Sequence, residues 1–112
     1  MKKINLGQNQ VVHFIGIGGI GMSGLAQVMK NMGFNIQGSD QSKNKNTVSC
    51  SNSGIKIFIG HSKKNVKNAS VIVRSSAIKN NNCEVVFSRK KKIPIYSRAE
   101  MLADVVSKKK IL

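Results

Sequence analysis

The sequence has no tryptophan, one tyrosine and four phenylalanines in its 112 residues. It therefore lacks the stacking platform on which single-strand nucleic-acid binders seat successive bases. Cysteine is nearly as scarce. Cys50 and Cys83 are too few and too far apart for a disulfide framework, and they lack the paired spacing of a zinc site. Both are expected to be ordinary buried or half-buried thiols. The acidic residues number four and suggest no metal cluster. No apolar run approaches the roughly 20 residues of a membrane span. Met1-Lys2-Lys3 ahead of the apolar stretch at Val11 imitates a signal peptide, but the polar insert at 5–10 and the missing small-x-small cleavage site argue against one. A cytoplasmic, soluble, single domain is expected, with a modest core.

What the chain does hold is positive charge. Nineteen lysines and arginines give a formal net charge of +15, the footprint that raises nucleic acid as a partner. The cations fall in short clusters at 43–45, 63–67, 89–92 and 108–110 with no aromatics interleaved. A solvated lysine-rich surface is the simpler reading, and specific nucleic-acid binding is not expected. Such a surface would also attract a small polyanionic ligand.

Strands and helices alternate along the chain. Val11 to Ile17 is nearly continuously apolar, as a strand covered on both faces should be. Leu25, Val28, Met29 and Met32 recur with helical spacing, and Gly33 stands where a helix ends. Further strands are expected at 34–37 running on to Asp40, at 55–59, at 71–73 and at 93–96, where Pro94 favours an edge strand or a first strand residue. Helices are expected at 83–91, with Val85 and Val86 facing inward, and at 98–107, where Ser97-x-x-Glu100 has capping-box spacing. The polar, Ser- and Asn-rich segment 41–53 promises little more than a ragged turn or two. This order predicts an α/β fold: a Rossmann-like, doubly wound parallel sheet of about five strands with helices on both faces.

The chemistry begins at Gly16-Ile17-Gly18-Gly19-Ile20-Gly21, a G-x-G-x-x-G placed between an expected strand and an expected helix. Glycines allow a tight turn and keep side chains out of a phosphate's way, and the helix start offers free N–H groups and a favourable dipole. Asp40 follows about twenty residues later at the end of the second strand, where a dinucleotide fold uses an acid to accept ribose hydroxyls. These two features alone would suit an NAD-binding module of an oxidoreductase or sensor, and that alternative stays open beside a phosphate-free packing turn.

Finer details point elsewhere. The run from His13 to Ala26 resembles the N-terminal signature of the UDP-N-acetylmuramate–L-alanine ligases of the Mur ligase family. The likeness continues through Gln37-Gly38-Ser39-Asp40, Ile57-Phe58-Ile59-Gly60-His61, Ser75-Ser76-Ala77-Ile78-Lys79 and Ile93-Pro94-Ile95. It closes with Arg98-Ala99-Glu100-Met101-Leu102-Ala103. The resemblance implies an N-terminal domain holding the UDP part of UDP-N-acetylmuramic acid. Gly18, Gly19, Ile20, Gly21, Met22 and Ser23 would wrap the diphosphate, and Asp40 would face the uridine end. His61 and the Ser75, Ser76, Ala77 and Ile78 block would line the pocket. Arg98 could reach a phosphate, whereas His13 is expected to have a structural partner.

The chain departs from the family pattern with Arg74 at a usually apolar strand end and Cys83 where proline is usual. It contains no G-x-x-x-x-G-K-[ST] loop. The resemblance therefore implies that the central ATP-binding and C-terminal domains are absent, and that the chain alone holds no catalytic residue, metal or cofactor. ATP, Mg2+ and L-alanine belong to the full-length ligase. Weak self-association is expected around the last helix, where Met101, Leu102, Val105 and Val106 would lose a neighbouring domain.

Overall fold

The structure, a computed structural model, describes residues 4, 6–7 and 9–110. Five parallel strands form one sheet: β1 (Val11–Ile15), β2 (Asn35–Asp40), β3 (Lys56–Ile59), β4 (Val71–Arg74) and β5 (Ile95–Ser97). Their spatial order is β3-β2-β1-β4-β5. The chain runs outward from β1 to β3, then returns to β4 on the other side of β1. The C-terminal ends of β1 and β4 are thus the point where winding reverses, and there the open parallel sheet leaves a crevice.

Helices α1 (Met22–Asn31), α2 (Lys45–Asn52), α3 (Cys83–Lys90) and α4 (Arg98–Lys110) connect and flank the strands, with a 3₁₀ turn at Lys63–Val66. Strand alternation sorts the core into two layers. Val12, Phe14, Ile36 and Val73 pack with Leu25, Ala26 and Met29 of α1, Cys50 of α2, and Met101 and Val105 of α4. On the opposite face Ile15 and Ile72 pack with Val66 of the 3₁₀ turn and Val85 of α3. The second layer is thin, because a single 3₁₀ turn stands where a full crossover helix would lie.

Several expectations are corrected. Segment 41–53 holds the two helical turns expected at most around Thr47 to Cys50, but they are capped and regular rather than ragged, because Asn44 Oδ1 accepts the Thr47 N–H while Thr47 Oγ1 accepts the Asn44 N–H, each at 2.9 Å. This capping box needs no apolar residue and so escapes a reading based on hydrophobic periodicity. In α3 Val85 is buried but Val86 is 40% exposed; the other inward residues are Glu84 and Ser88. Cys50 is buried, whereas Cys83 is exposed. Burial pushes the Cys50 thiol up in pKa, against a smaller opposing hydrogen bond with Gln27. In α4 Met101 and Val105 belong to the core, so of the four large apolar residues only Leu102 and Val106 present apolar surface.

Other local readings hold. Pro94 precedes β5, an edge strand. Ser97 and Glu100 make the reciprocal capping box, at 2.8 and 3.1 Å. Among the described residues no helix is long and apolar enough to cross a membrane.

Candidate functional site

The glycine loop leaves β1 at the winding reversal and turns at once into α1. Gly16 and Ile17 both donate backbone N–H groups to the Ser39 carbonyl, at 2.9 and 3.0 Å, which ties the loop to β2. Within the loop the amide donors divide. Gly18 donates to Asp40 Oδ2 at 2.8 Å, Gly19 to the Gly16 carbonyl and Met22 to the Gly19 carbonyl. The N–H groups of Ile20, Gly21, Ser23 and Gly24 have no partner among the described residues. Gly21 caps α1 with a left-handed φ of 77° and no side-chain cap. By contrast Asn44, Asn82 and Ser97 cap the other three helices. A helix start with free donors carries a partial positive charge and suits an anion.

Side chains close around these donors. Arg98 lies across Gly21: a methyl group placed there would meet its Cδ and Nε at 3.1 Å. Asn44 and Asn46 donate to the Gly18 carbonyl, at 3.4 and 3.0 Å. There is no room for a side chain at Gly18, whose Cβ would fall 2.8 Å from Asn44 Nδ2 and 2.9 Å from Asp40 Oδ2. Ile20 at the loop tip is 98% exposed, whereas Met22 is buried in the core. With its amide already engaged, Met22 offers no donor to a ligand.

After β4 the residues Ser75, Ser76, Ala77 and Ile78 form a turn that faces the loop, closed by the Ile78 N–H donating to the Ser75 carbonyl at 3.1 Å. Arg74, whose charge stands out in the sequence, donates from Nη2 to the Ile78 carbonyl at 2.6 Å and braces this turn. A cleft of about 240 Å³ lies between the two segments, lined by Gly16, Gly18, Gly19, Asp40, Asn44, His61, Ser75, Ala77 and Ile78. A second hollow of about 230 Å³ adjoins it through Ser75 and is lined by Ile20, Met22, Ser76 and Arg98. Every residue expected to bind the ligand, with the exception of Gly21 and Ser23, lines one of these two hollows. Those two supply free amides beside them.

Behind the cleft lies a group that sequence reasoning missed. Glu84 of α3 is fully buried and accepts from five donors. His13 Nε2 and Ser39 Oγ reach its Oε1, both at 2.7 Å. Asn65 Nδ2, the Ser62 N–H and His61 Nδ1 reach Oε2 at 2.9, 3.1 and 3.2 Å. Burial pushes the Glu84 carboxyl up, but hydrogen bonds from His13, Ser39 and Asn65 outweigh it. They hold the group at about 2, below its ordinary 4.5. Gln37 Nε2 donates both to the Asn65 carbonyl at 2.7 Å and to His13 Nδ1 at 2.8 Å. The carbonyl requires nitrogen at that position of the amide, so His13 Nδ1 accepts and its proton sits on Nε2 facing Glu84. The sequence signals for this cluster are His13, whose expected structural partner proves to be Glu84, and one glutamate in an otherwise basic and apolar helix.

Known proteins match this arrangement. The family described as "Mur ligase family, catalytic domain" matches residues 11–110. The UDP-N-acetylmuramate–L-alanine ligase of Pelagibacter ubique is 56% identical over 105 residues, which is 94% of this chain and 23% of the relative. That of Rickettsia typhi is 54% identical over 95 residues, 85% of this chain and 19% of the relative. The crystal structure of UDP-N-acetylmuramate–alanine ligase from Thermotoga maritima superposes with a TM-score of 0.84 at 31% identity, covering 89% of this chain and 23% of that one. The chain thus spans about a fifth of the length of the curated relatives it matches. With the glycine loop, the Ser75 turn and the sheet order all in place, the chain belongs to the Mur ligase family.

Proposed function

We propose that this chain is the part of a cytoplasmic UDP-N-acetylmuramate–L-alanine ligase that holds the UDP portion of UDP-N-acetylmuramic acid. The observation that carries the reading is the uncapped start of α1. Four N–H groups, of Ile20, Gly21, Ser23 and Gly24, are unpaired among the described residues and open beside the Arg98 side chain at the winding reversal of a parallel sheet. A diphosphate would take these donors, with Arg98 as a charge-assisted partner. Asp40 is bound to Gly18 and Gln41 through one lone pair on each oxygen and retains acceptor capacity for ribose hydroxyls. His61, Ser75, Ser76, Ala77 and Ile78 would close the nucleotide's other side.

The residues of this site bind and orient; they supply no bond-making group. Among those described, no three His, Cys, Asp or Glu side chains come together as a metal set. In the whole ligase ATP, with magnesium, would activate the substrate carboxylate and L-alanine would attack it, using residues beyond this chain. The +15 charge is read as favouring the approach of an anionic nucleotide, not as a nucleic-acid or membrane interface. Weak self-association would rest on Leu102 and Val106, the exposed large apolar side chains of α4.

Isothermal titration of the chain with UDP-N-acetylmuramic acid, with NADH as comparison, tests the reading. Saturable binding of the UDP-sugar that is lost on Gly19→Asp is expected. Binding of NADH alone would replace the reading with a dinucleotide-binding one.

A further inference from the structure

Two histidines meet the Glu84 carboxylate, and they differ in what they leave over. His13 is fully buried and both of its ring nitrogens are engaged, Nε2 with Glu84 and Nδ1 with Gln37. Its role ends in the core. His61 presents Nδ1 to Glu84 Oε2 at 3.2 Å and to Ser39 Oγ at 3.1 Å. The Ser39 hydroxyl has one proton, and the 2.7 Å bond to Glu84 Oε1 uses it, so toward His61 this oxygen can only accept. An ionised carboxylate also only accepts. Both partners therefore demand a proton on His61 Nδ1. Nε2, on the opposite edge of the ring, has no partner among the described residues, and the side chain is 15% exposed where it lines the glycine-loop cleft.

We propose that Glu84 is a positioning residue for ligand binding: it fixes the His61 proton on Nδ1 and so presents Nε2 to the cleft as a hydrogen-bond acceptor for a sugar hydroxyl of the bound nucleotide. This rests on the nucleotide reading above. The carboxylate comes from α3 on the far face of the sheet, yet it reaches both rims of the cleft. Ser39 Oγ donates to Glu84, while the Ser39 carbonyl receives the Gly16 and Ile17 amides that begin the glycine loop. Ser62, next in chain to His61, donates its N–H to the same Oε2 that receives His61. Backbone and ring are thereby held by one group. A buried anion with five donors is a demanding way to fill a thin core layer, where apolar side chains would stabilise as well. Orienting a ring at the cleft gives it a use.

The test is nitrogen NMR of the histidine rings in the whole chain, above the pH at which imidazole protonates, followed by titration with UDP. The expected free spectrum has His61 protonated at Nδ1 and bare at Nε2, the tautomer that free histidine disfavours. A ring protonated at Nε2 overturns the proposal in the unsubstituted protein, whatever any variant does. On adding UDP, the Nε2 resonance should move together with the amides of Ile20, Gly21 and Ser23. Loop amides that shift while Nε2 stays put sink this inference alone. Loop amides that do not respond sink the nucleotide reading and this inference with it. Glu84→Gln should return His61 to the mixed tautomers of free histidine and weaken UDP about tenfold, as should His61→Ala. The double variant should bind no more weakly than His61→Ala, since Glu84 acts through the ring. Additive losses would make Glu84 a structural residue only.

Discussion

Asp40 Oδ2 holds the Gly18 N–H at 2.8 Å, so the end of β2 and the turn of the glycine loop behave as one piece. The acid at this position has two jobs in the proposed complex: it shapes the loop before a ligand arrives and accepts hydroxyls once it is there. Asp40→Ala should weaken UDP-N-acetylmuramic acid binding by about tenfold or more, through loss of a charge-assisted hydrogen bond and of the loop geometry together. Asp40→Asn, with its amide oxygen still able to accept from Gly18, should fall between the two. Calorimetric titration of the three proteins checks the order.

Gly18 and Gly24 make a contrasting pair. A Cβ at Gly18 would lie under 3 Å from Asn44 and Asp40 side-chain atoms, whereas at Gly24 it meets nothing within 4 Å. Gly18→Ala should abolish tight ligand binding, because Asn44 and Asp40 must both move out of the cleft rim. Gly24→Ala, inside α1, should stabilise the fold by about 0.5–1 kcal/mol through helix propensity. Thermal melts and titrations of both variants would read these opposite outcomes.

The folded-state pKa of Glu84, about 2, lies below its ordinary 4.5. A depressed carboxyl contributes stability above its unfolded value and loses it as pH falls through the folded one. The contribution, about 3 kcal/mol at full strength, should therefore be intact at pH 5 and drain away between 4.5 and 2. Urea unfolding across that window should show a steep loss for the unsubstituted chain and a shallower one for Glu84→Gln. Parallel curves would mean that another group governs acid unfolding.

Neighbours on α4 should behave oppositely. Met101 is fully buried, while Leu102 is 38% exposed. Met101→Ala should cost about 2–5 kcal/mol as a core truncation; Leu102→Ala should stay within about 0.5 kcal/mol. Replacing Leu102 and Val106 by glutamate should remove any concentration-dependent sedimentation without lowering the melting temperature.

Much of this is legible in the residues. The apolar run at 11–15, the glycine loop, the helical stripe of α1 and the Ser97–Glu100 box each declare themselves locally, because strand cover, tight turns and caps are short-range demands. Helix α2 is regular where the sequence promised only ragged turns, because its start is built from side-chain hydrogen bonds at Asn44 and Thr47, which leave no hydrophobic period to detect. Val86 and Met101 depart from expectation for a related reason: one helix offers several apolar residues, and the sheet decides which of them face it.

The sequence by itself determined the order of strands and helices and the loop that offers its amides, since backbone conformation and amide exposure follow from a few adjacent residues. Tertiary structure alone decided which amides remain free, that Asp40 holds Gly18, and that Glu84 stands behind His61. Those relations join residues 22 and 23 positions apart. They exist only because parallel strands bring their C-terminal ends together, and a buried charge must find its donors wherever the fold has placed them.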